Sequence, residues 1–404
     1  MERSCGMWIQ DGRRDPAKGS RKADPYAHVK ISGKMTKYYL LAIWTLACMI
    51  PPVASQGQTR FRWWNPVEST IPMIRGQAWP NEVQHPYDRL PARARDEVNP
   101  SVWRQSQDAA GLTIRFQGNA SSIRVRYTVS EALYSPHIPE TGKSGLDLYA
   151  IDKNGTWTWA PAWYRFGDTI EYRFNALPHE RTREYCLYLP YYNHVNWLEI
   201  GVPDDAEMRP IPAGHLAPIV VYGTSIAQGT AAPRPGLTWV AVLGRRLNAP
   251  VVNLGFAGCG RLDTPVIRLM AELDAKLYVL DCLPNLNGAE RIQTRLSGAV
   301  KILQRKRPKV PILIVDHADA HVVSLNANQL RGYRAVNKAS REIYERLQQA
   351  GAKNIYYLSA DSIGLNASSM AIDGVHPNAA GMELYAKAYE NAIRKILHEA
   401  SAGD

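Results

Sequence analysis

The chain has few cysteines, no long apolar run and no concentrated block of one charge, and each absence removes a class of function. Five cysteines occur in 404 residues, and Cys5 and Cys48 fall in the N-terminal segment. The other three, Cys186, Cys259 and Cys282, are an odd number without the paired spacing of a metal site. They read as small buried apolar residues, with a Cys259–Cys282 bridge as the alternative in an exported protein. The formal net charge is +11, but residues 1–55 hold nine Lys/Arg against four acids, leaving a scattered +6 for the remainder. No basic run with interleaved aromatics accompanies it, so nucleic acid is not an expected partner. The apolar stretch Leu40–Ile50 is about half of the ~20 residues a spanning helix needs, so no stable membrane span is expected.

That stretch has another use. Lys34 and Lys37 precede it, and Pro51-Pro52-Val53-Ala54-Ser55 follows it. A charged head, a short apolar run and a small-residue site make residues 35–55 a signal peptide cleaved after Ser55, and the protein an exported one, periplasmic or secreted. Residues 1–34 are polar and aperiodic, and Met35 offers a natural start, so they read as an upstream extension. Lipoprotein anchoring through Cys48 is the weaker reading, because Thr45-Leu46-Ala47 matches the usual preceding residues poorly.

The remainder changes periodicity once. Residues 56–210 read as an all-β sandwich. Ile123–Val129 alternates, as a strand with one wet face does, and Asp152-Lys153-Asn154-Gly155 separates two β-rich runs as a hairpin turn. Further runs at 169–174, 184–189 and 197–200 follow, with no convincing amphipathic helix among them. The dense Trp and Tyr here read first as sandwich core and cross-strand pairs, and second as a sugar-stacking surface. Residues 215–404 alternate apolar strands (219–222, 251–254, 277–280, 310–315, 355–358) with helical segments (239–247, 265–273, 291–306, 331–349, 380–399). Continuous apolar strands between helices mean a parallel sheet covered on both faces, a flavodoxin-like three-layer α/β/α domain.

Right-handed crossovers bring every strand's carboxyl end to one edge, where such folds bind ligands. Gly223-Thr224-Ser225-Ile226 follows strand one, and Gly255-Phe256-Ala257-Gly258-Cys259-Gly260 follows strand two. Asp281-Cys282-Leu283-Pro284-Asn285 follows strand three, and Asp373-Gly374-Val375-His376-Pro377 precedes the last helix. A serine, a glycine-rich turn, an asparagine and an Asp-x-x-His pair at one edge form a set that acyl transfer needs. The glycines are spaced Gly-x-x-Gly-x-Gly after the wrong strand for a dinucleotide site. Ala227 stands where an α/β-hydrolase elbow needs glycine.

These ordered blocks resemble the SGNH (GDSL-type) hydrolases, and Gly145-Leu146-Asp147-Leu148-Tyr149 resembles the motif of the subgroup with an N-terminal β-domain. The resemblance spans roughly residues 60–400. It implies a serine esterase (a carboxylic ester hydrolase) without cofactor or metal, with Ser225 as nucleophile and His376 and Asp373 completing the triad. It also implies Ser225, Gly258 and Asn285 as the oxyanion hole, with Asn287 the nearby alternative to Asn285. Thr224 departs from the Asp that many members carry before the serine, a change expected to tune the loop. His317, Asp319 and His321 follow strand four and read as a polar loop, with His317 the candidate substrate contact. The expected substrate is a small-molecule or glycan ester, plausibly an acetylated carbohydrate. A catalytically inactive glycan-binding surface protein, and an acyltransferase using the same residues, are the alternatives.

Overall fold

In a computed structural model of the protein, the described residues are 59–402, apart from 213, 215, 319–324 and 366–367. The leader, the extension before it, Cys5, Cys48, Asp319 and His321 lie outside them. No helix among the described residues is long and apolar enough to cross a membrane.

Two antiparallel sheets form the first part. One runs in the order Phe61–Trp64, Val195–Pro203, Ile123–Val129, Ile170–Phe174, Trp163–Arg165. The other runs Met208–Pro210, Thr113–Gly118, Arg183–Tyr188, Asp147–Ile151, Trp157–Ala160, with Ile74–Arg75 added beside Thr113–Gly118. Alternation decides which side chains enter the core. Ile123, Val125 and Tyr127 are buried with Ile114, Phe116, Leu148 and Leu187 of the facing sheet in one cluster. The intervening Arg124 and Arg126 turn outward over the rings of Phe61 and Trp63, each at 3.9 Å. At the Asn-Gly hairpin, Asp152 Oδ1 accepts from the N–H groups of Asn154 and Thr156, and Gly155 takes φ +79°.

Two helices stand in the segment read as β-structure with no convincing amphipathic helix, the single turn Glu140–Lys143 and a longer one, Pro100–Ser106. Asn99 caps it by accepting from Ser101 N at 2.9 Å, and Pro100 stands at its first position, where no N–H is needed. Seven residues are too few to display an apolar period, so only the Asn-Pro cap marked it.

The second part is a five-stranded parallel sheet in the order Val251–Gly255, Ile219–Gly223, Leu277–Asp281, Ile312–Val315, Ile355–Leu358. In sequence terms this is 2-1-3-4-5, so the strand order reverses beside the first strand and opens a crevice at its carboxyl end. Burial on both faces explains the unbroken apolar runs. Val220 and Tyr222 pack into one layer with Val266, Ile267 and Leu296. Ile219 and Val221 pack into the other with Trp239, Tyr385 and Tyr389. Cys186, Cys259 and Cys282 are buried and outside any disulfide, so the bridge alternative does not hold.

The described residues from Arg60 onward form one compact unit, and a buried arginine joins its two parts. Arg89 donates from Nε to Asp108 O at 2.8 Å, from Nη1 to Asn253 O and Gly255 O at 2.9 Å each, and from Nη2 to Gln105 O at 2.6 Å. Replacing it with an apolar side chain strands four carbonyls in the interior. Arg89→Met should therefore lower the unfolding free energy by about 3 kcal/mol or more in chemical denaturation. A loss below about 1 kcal/mol would show that water or local repacking replaces the arginine.

Candidate active site

Ser225 opens a four-residue helix, Ser225–Gln228, directly after the strand Ile219–Gly223. Thr224 caps that helix by accepting from Ile226 N at 3.3 Å, so the residue that departs from Asp acts as the N-cap of the serine turn. The turn is tight because Gly223 and Gly260 lack side chains. A Cβ on Gly260 would run into Gly223 O, and one on Gly223 would run into the Cβ of Ala227. Phe256 N also donates to Gly223 O at 3.1 Å. The glycine-rich turn and the serine turn thus meet backbone to backbone.

His376 reaches Ser225 from a loop fixed at both ends. Ile372 N donates to His376 O, Ala371 bridges Pro377, and Gly374 takes φ +80° at the loop's tip. Asn378 caps the final helix by accepting from Ala380 N and Gly381 N, and its own N–H returns to Met370 O. On this platform Ser225 Oγ lies 2.9 Å from His376 Nε2, and His376 Nδ1 lies 2.7 Å from Asp373 Oδ2. Asp373 Oδ1 accepts from His376 N at 2.9 Å and Val375 N at 3.0 Å. The three-residue spacing therefore closes a local turn as well as the side-chain pair. Burial alone would raise the Asp373 carboxyl. The hydrogen bonds from the His376 ring and from the two backbone N–H groups outweigh it, holding the group well below the usual carboxylate range.

Gly258 lies in the turn after Val251–Gly255 at φ +67°, a conformation that favours glycine. Asn285 ends the turn Leu283–Asn285 after the third strand, half-buried, with its Nδ2 donating to Gly260 O at 3.2 Å. That bond ties Asn285 to the glycine turn, whereas Asn287 is exposed. His317 is buried. Its N–H and C=O both bond the Asn337 amide at 2.8 Å, and its ring lies 3.8 Å from that of Tyr333.

One site residue had no signal in the sequence. His137 stands on a turn closed by the Ser135–Ile138 bridge, and its ring lies along that of His376 with centroids 5.6 Å apart and planes at 22°. Ile138 is buried in the core cluster that also holds Ile226, Ala227 and Ala232. His137, Asp373 and His376 each offer an atom within 4.8 Å of the others, a set that can also meet a metal ion. Both ring nitrogens of His376 are already engaged by Ser225 and Asp373. The Gly145–Tyr149 motif has a different place. Asp147 accepts from Arg234 at 2.7 and 2.9 Å, from Gly236 N at 3.1 Å and from Trp159 Nε1 at 2.7 Å. It fastens the β-part to the segment that follows the serine helix. A cavity of about 320 Å³ lined by Arg75, Arg115, Trp157, Arg245 and Pro250 lies at the amino end of the parallel strands, the edge opposite Ser225.

Residues 217–394 match the GDSL-like lipase/acylhydrolase family, and residues 61–208 match the N-terminus of SGNH-hydrolase-type esterases. A solved protein from Bacteroides ovatus, assigned as a GDSL-like lipase, is 30% identical, with 84% of this chain and 98% of that one covered at a TM-score of 0.78. A salicylyl-acyltransferase from a tetracycline biosynthetic pathway is 20% identical, with 83% and 97% covered at 0.68. A family two carbohydrate esterase from Cellvibrio japonicus is 12% identical, with 84% and 99% covered at 0.52. Comparison with curated proteins finds no significant match.

The Asp373 environment sets a sign that can be measured. Its folded value lies below the unfolded one of about 3.9, so its contribution to stability is complete above that pH and is lost as the pH falls through the folded value. The unfolding free energies of the wild type and Asp373→Asn should converge as the pH falls below about 4. A difference that instead grows below about pH 4 would contradict the depressed carboxyl.

Proposed function

The chain belongs to the GDSL-like lipase/acylhydrolase family and is an SGNH-type esterase, and we propose that it cleaves a short acyl ester, acetyl on a carbohydrate, with Ser225 as nucleophile. The observation that carries this reading is the unbroken line from Ser225 Oγ through both nitrogens of His376 to Asp373, at 2.9 and 2.7 Å. A surface serine in a turn has no reason to meet an imidazole so oriented.

In this mechanism Ser225 Oγ attacks the ester carbonyl as His376 Nε2 takes its proton. Asp373 holds the Nδ1–H tautomer and stabilises the imidazolium. The oxyanion is received by the N–H groups of Ser225 and Gly258 and by the Asn285 amide, each such donor being worth about 2.7–4 kcal/mol of barrier. Collapse expels the alcohol, protonated by His376, and a water activated by the same imidazole then hydrolyses the acyl-enzyme.

The carbohydrate assignment rests on three supports. Residues 35–55 have the makeup of an export leader, which gives a periplasmic or secreted enzyme. Tyr134 stands 65% exposed near His137 on the loop that meets the catalytic imidazole, a ring open for stacking on a sugar. The fold is also that of solved carbohydrate esterases. Transfer of the acyl group to another alcohol would use the same residues and differ only in acceptor.

Acetylated oligosaccharides should release acetate with the wild type. Ser225→Ala should lose hydrolysis by at least about 10⁴-fold together with all fluorophosphonate labelling. Hydrolysis confined to long-chain esters would overturn the carbohydrate reading. Labelling that persists in Ser225→Ala would overturn the nucleophile.

A further inference from the structure

The Ala257–Gly258 segment is gripped from both sides by side chains outside the Ser225–His376–Asp373 line. Gln105 Nε2 donates to Ala257 O at 2.9 Å, and Ala257 N donates to Gln228 Oε1 at 3.0 Å. Gln228 is fixed in turn, its Nε2 donating to Asp108 Oδ2 at 2.9 Å and to Tyr191 O at 3.3 Å. Gln105 belongs to the helix Pro100–Ser106 of the β-part, and its own carbonyl accepts from Arg89.

Ala257 O and the Gly258 N–H belong to one peptide unit. No peptide bond among the described residues is cis, and a trans unit points its N–H away from its C=O. Fixing Ala257 O therefore fixes the direction of the Gly258 N–H. The turn is closed by Cys259 N donating to Phe256 O at 3.1 Å, a bond that leaves its middle peptide unbound, and a Cβ on Gly258 would meet nothing within 4 Å. A glycine in open space lets the adjoining peptide rotate at little cost, so its orientation depends on hydrogen bonds.

We propose that Gln105 is a positioning residue of this esterase: by holding the Ala257 carbonyl, its amide keeps the Gly258 N–H turned toward the oxyanion that forms at Ser225. The proposal rests on the reading of Ser225 as nucleophile and Gly258 as oxyanion donor. Without the Gln105 donor the peptide is free to turn over and present a carbonyl oxygen to the developing charge, replacing attraction by repulsion. The cost falls on the transition state and leaves ground-state ester binding unchanged.

The test uses the full chain, with Gln105→Met removing the donor at similar volume and Gln105→Lys restoring one. In Gln105→Met, kcat on 4-nitrophenyl acetate should fall about 10- to 100-fold with KM within about twofold. Affinity for an alkyl trifluoromethyl ketone, whose serine adduct carries the oxyanion, should fall in parallel. Gln105→Lys should recover most of both. Should Gln105→Met not fold, Gln105→Glu, assayed above about pH 8 where its ionised carboxylate has no donor, carries the same expectation. A wild-type kcat in the donor-less variant, or a loss confined to KM, overturns the role of Gln105 while Ser225-dependent fluorophosphonate labelling stays intact. Absence of that labelling in the wild type overturns the nucleophile reading and this proposal with it.

Discussion

A guanidinium taken wholly out of water is tolerated only where its donors find acceptors, and Arg89 meets that condition with backbone alone. Its four bonds end on carbonyls of Gln105 and Asp108 on one side and of Asn253 and Gly255 on the other. The face of its guanidinium lies 4.8 Å from the Phe256 ring, so the planar group is satisfied in its plane and above it. Burial lowers its affinity for the proton, with Asp108 opposing that shift. The consequence is geometric. Strand Val251–Gly255 ends where Arg89 holds it, and the glycine-rich turn that begins there inherits its position from the β-part. Asp108 then continues inward through Gln228 to Ala257.

A second fastening works at the other side of the serine. Asp147, in the Gly145–Tyr149 motif, is buried, and that burial raises its carboxyl above the usual range, with Arg234 opposing the shift through charge and hydrogen bonds. Arg234 and Gly236 lie just beyond the serine helix, so this carboxylate sets the path the chain takes away from Ser225. Gly145 is required for the fit, because a Cβ there would strike Thr141 O. Thr141 in turn donates to Pro233 O at 2.8 Å. Motif, loop and post-serine segment are one hydrogen-bonded seam, and His137 sits on the loop that the seam steadies.

What was legible in the sequence follows from these relations. The parallel sheet announced itself through unbroken apolar runs, and the strand ends named Ser225, Gly258, Asn285, Asp373 and His376 because a doubly wound sheet gathers strand ends by topology. Residues whose place depends on the β-part left no such mark. His137 lies in an irregular loop with neither period nor spacing, and its contact with the His376 ring comes with the burial of the neighbouring Ile138 in the core that also holds the serine helix. Gln105 is an ordinary polar residue on a seven-residue helix, and nothing local ties it to Ala257. Arg89 reads as a surface charge until the fold encloses it. The Gly-x-Asp-Leu-Tyr motif was visible, but its work as a seam between the two parts was not, since all of Asp147's partners lie at other places in the chain.

The two parts divide the work in a way that bears on specificity. A parallel sheet with its order reversed beside the first strand supplies the convergence of serine, glycine turn and asparagine, but it leaves that edge open to water. Closing the edge falls to whatever packs across it, and here that is the β-part, through the loop bearing Tyr134 and His137 and through the helix bearing Gln105. On the proposed reading, changes in that loop would alter which alcohol is admitted while the line from Ser225 to Asp373 stays as it is. Changes at Arg89, Asp108 or Gln105 act instead on the backbone from which the proposed oxyanion donor projects. On the proposed mechanism the β-part would have two separable influences on the site, one on what enters and one on how charge is received, both exerted through contacts that lie outside the serine, histidine and aspartate themselves.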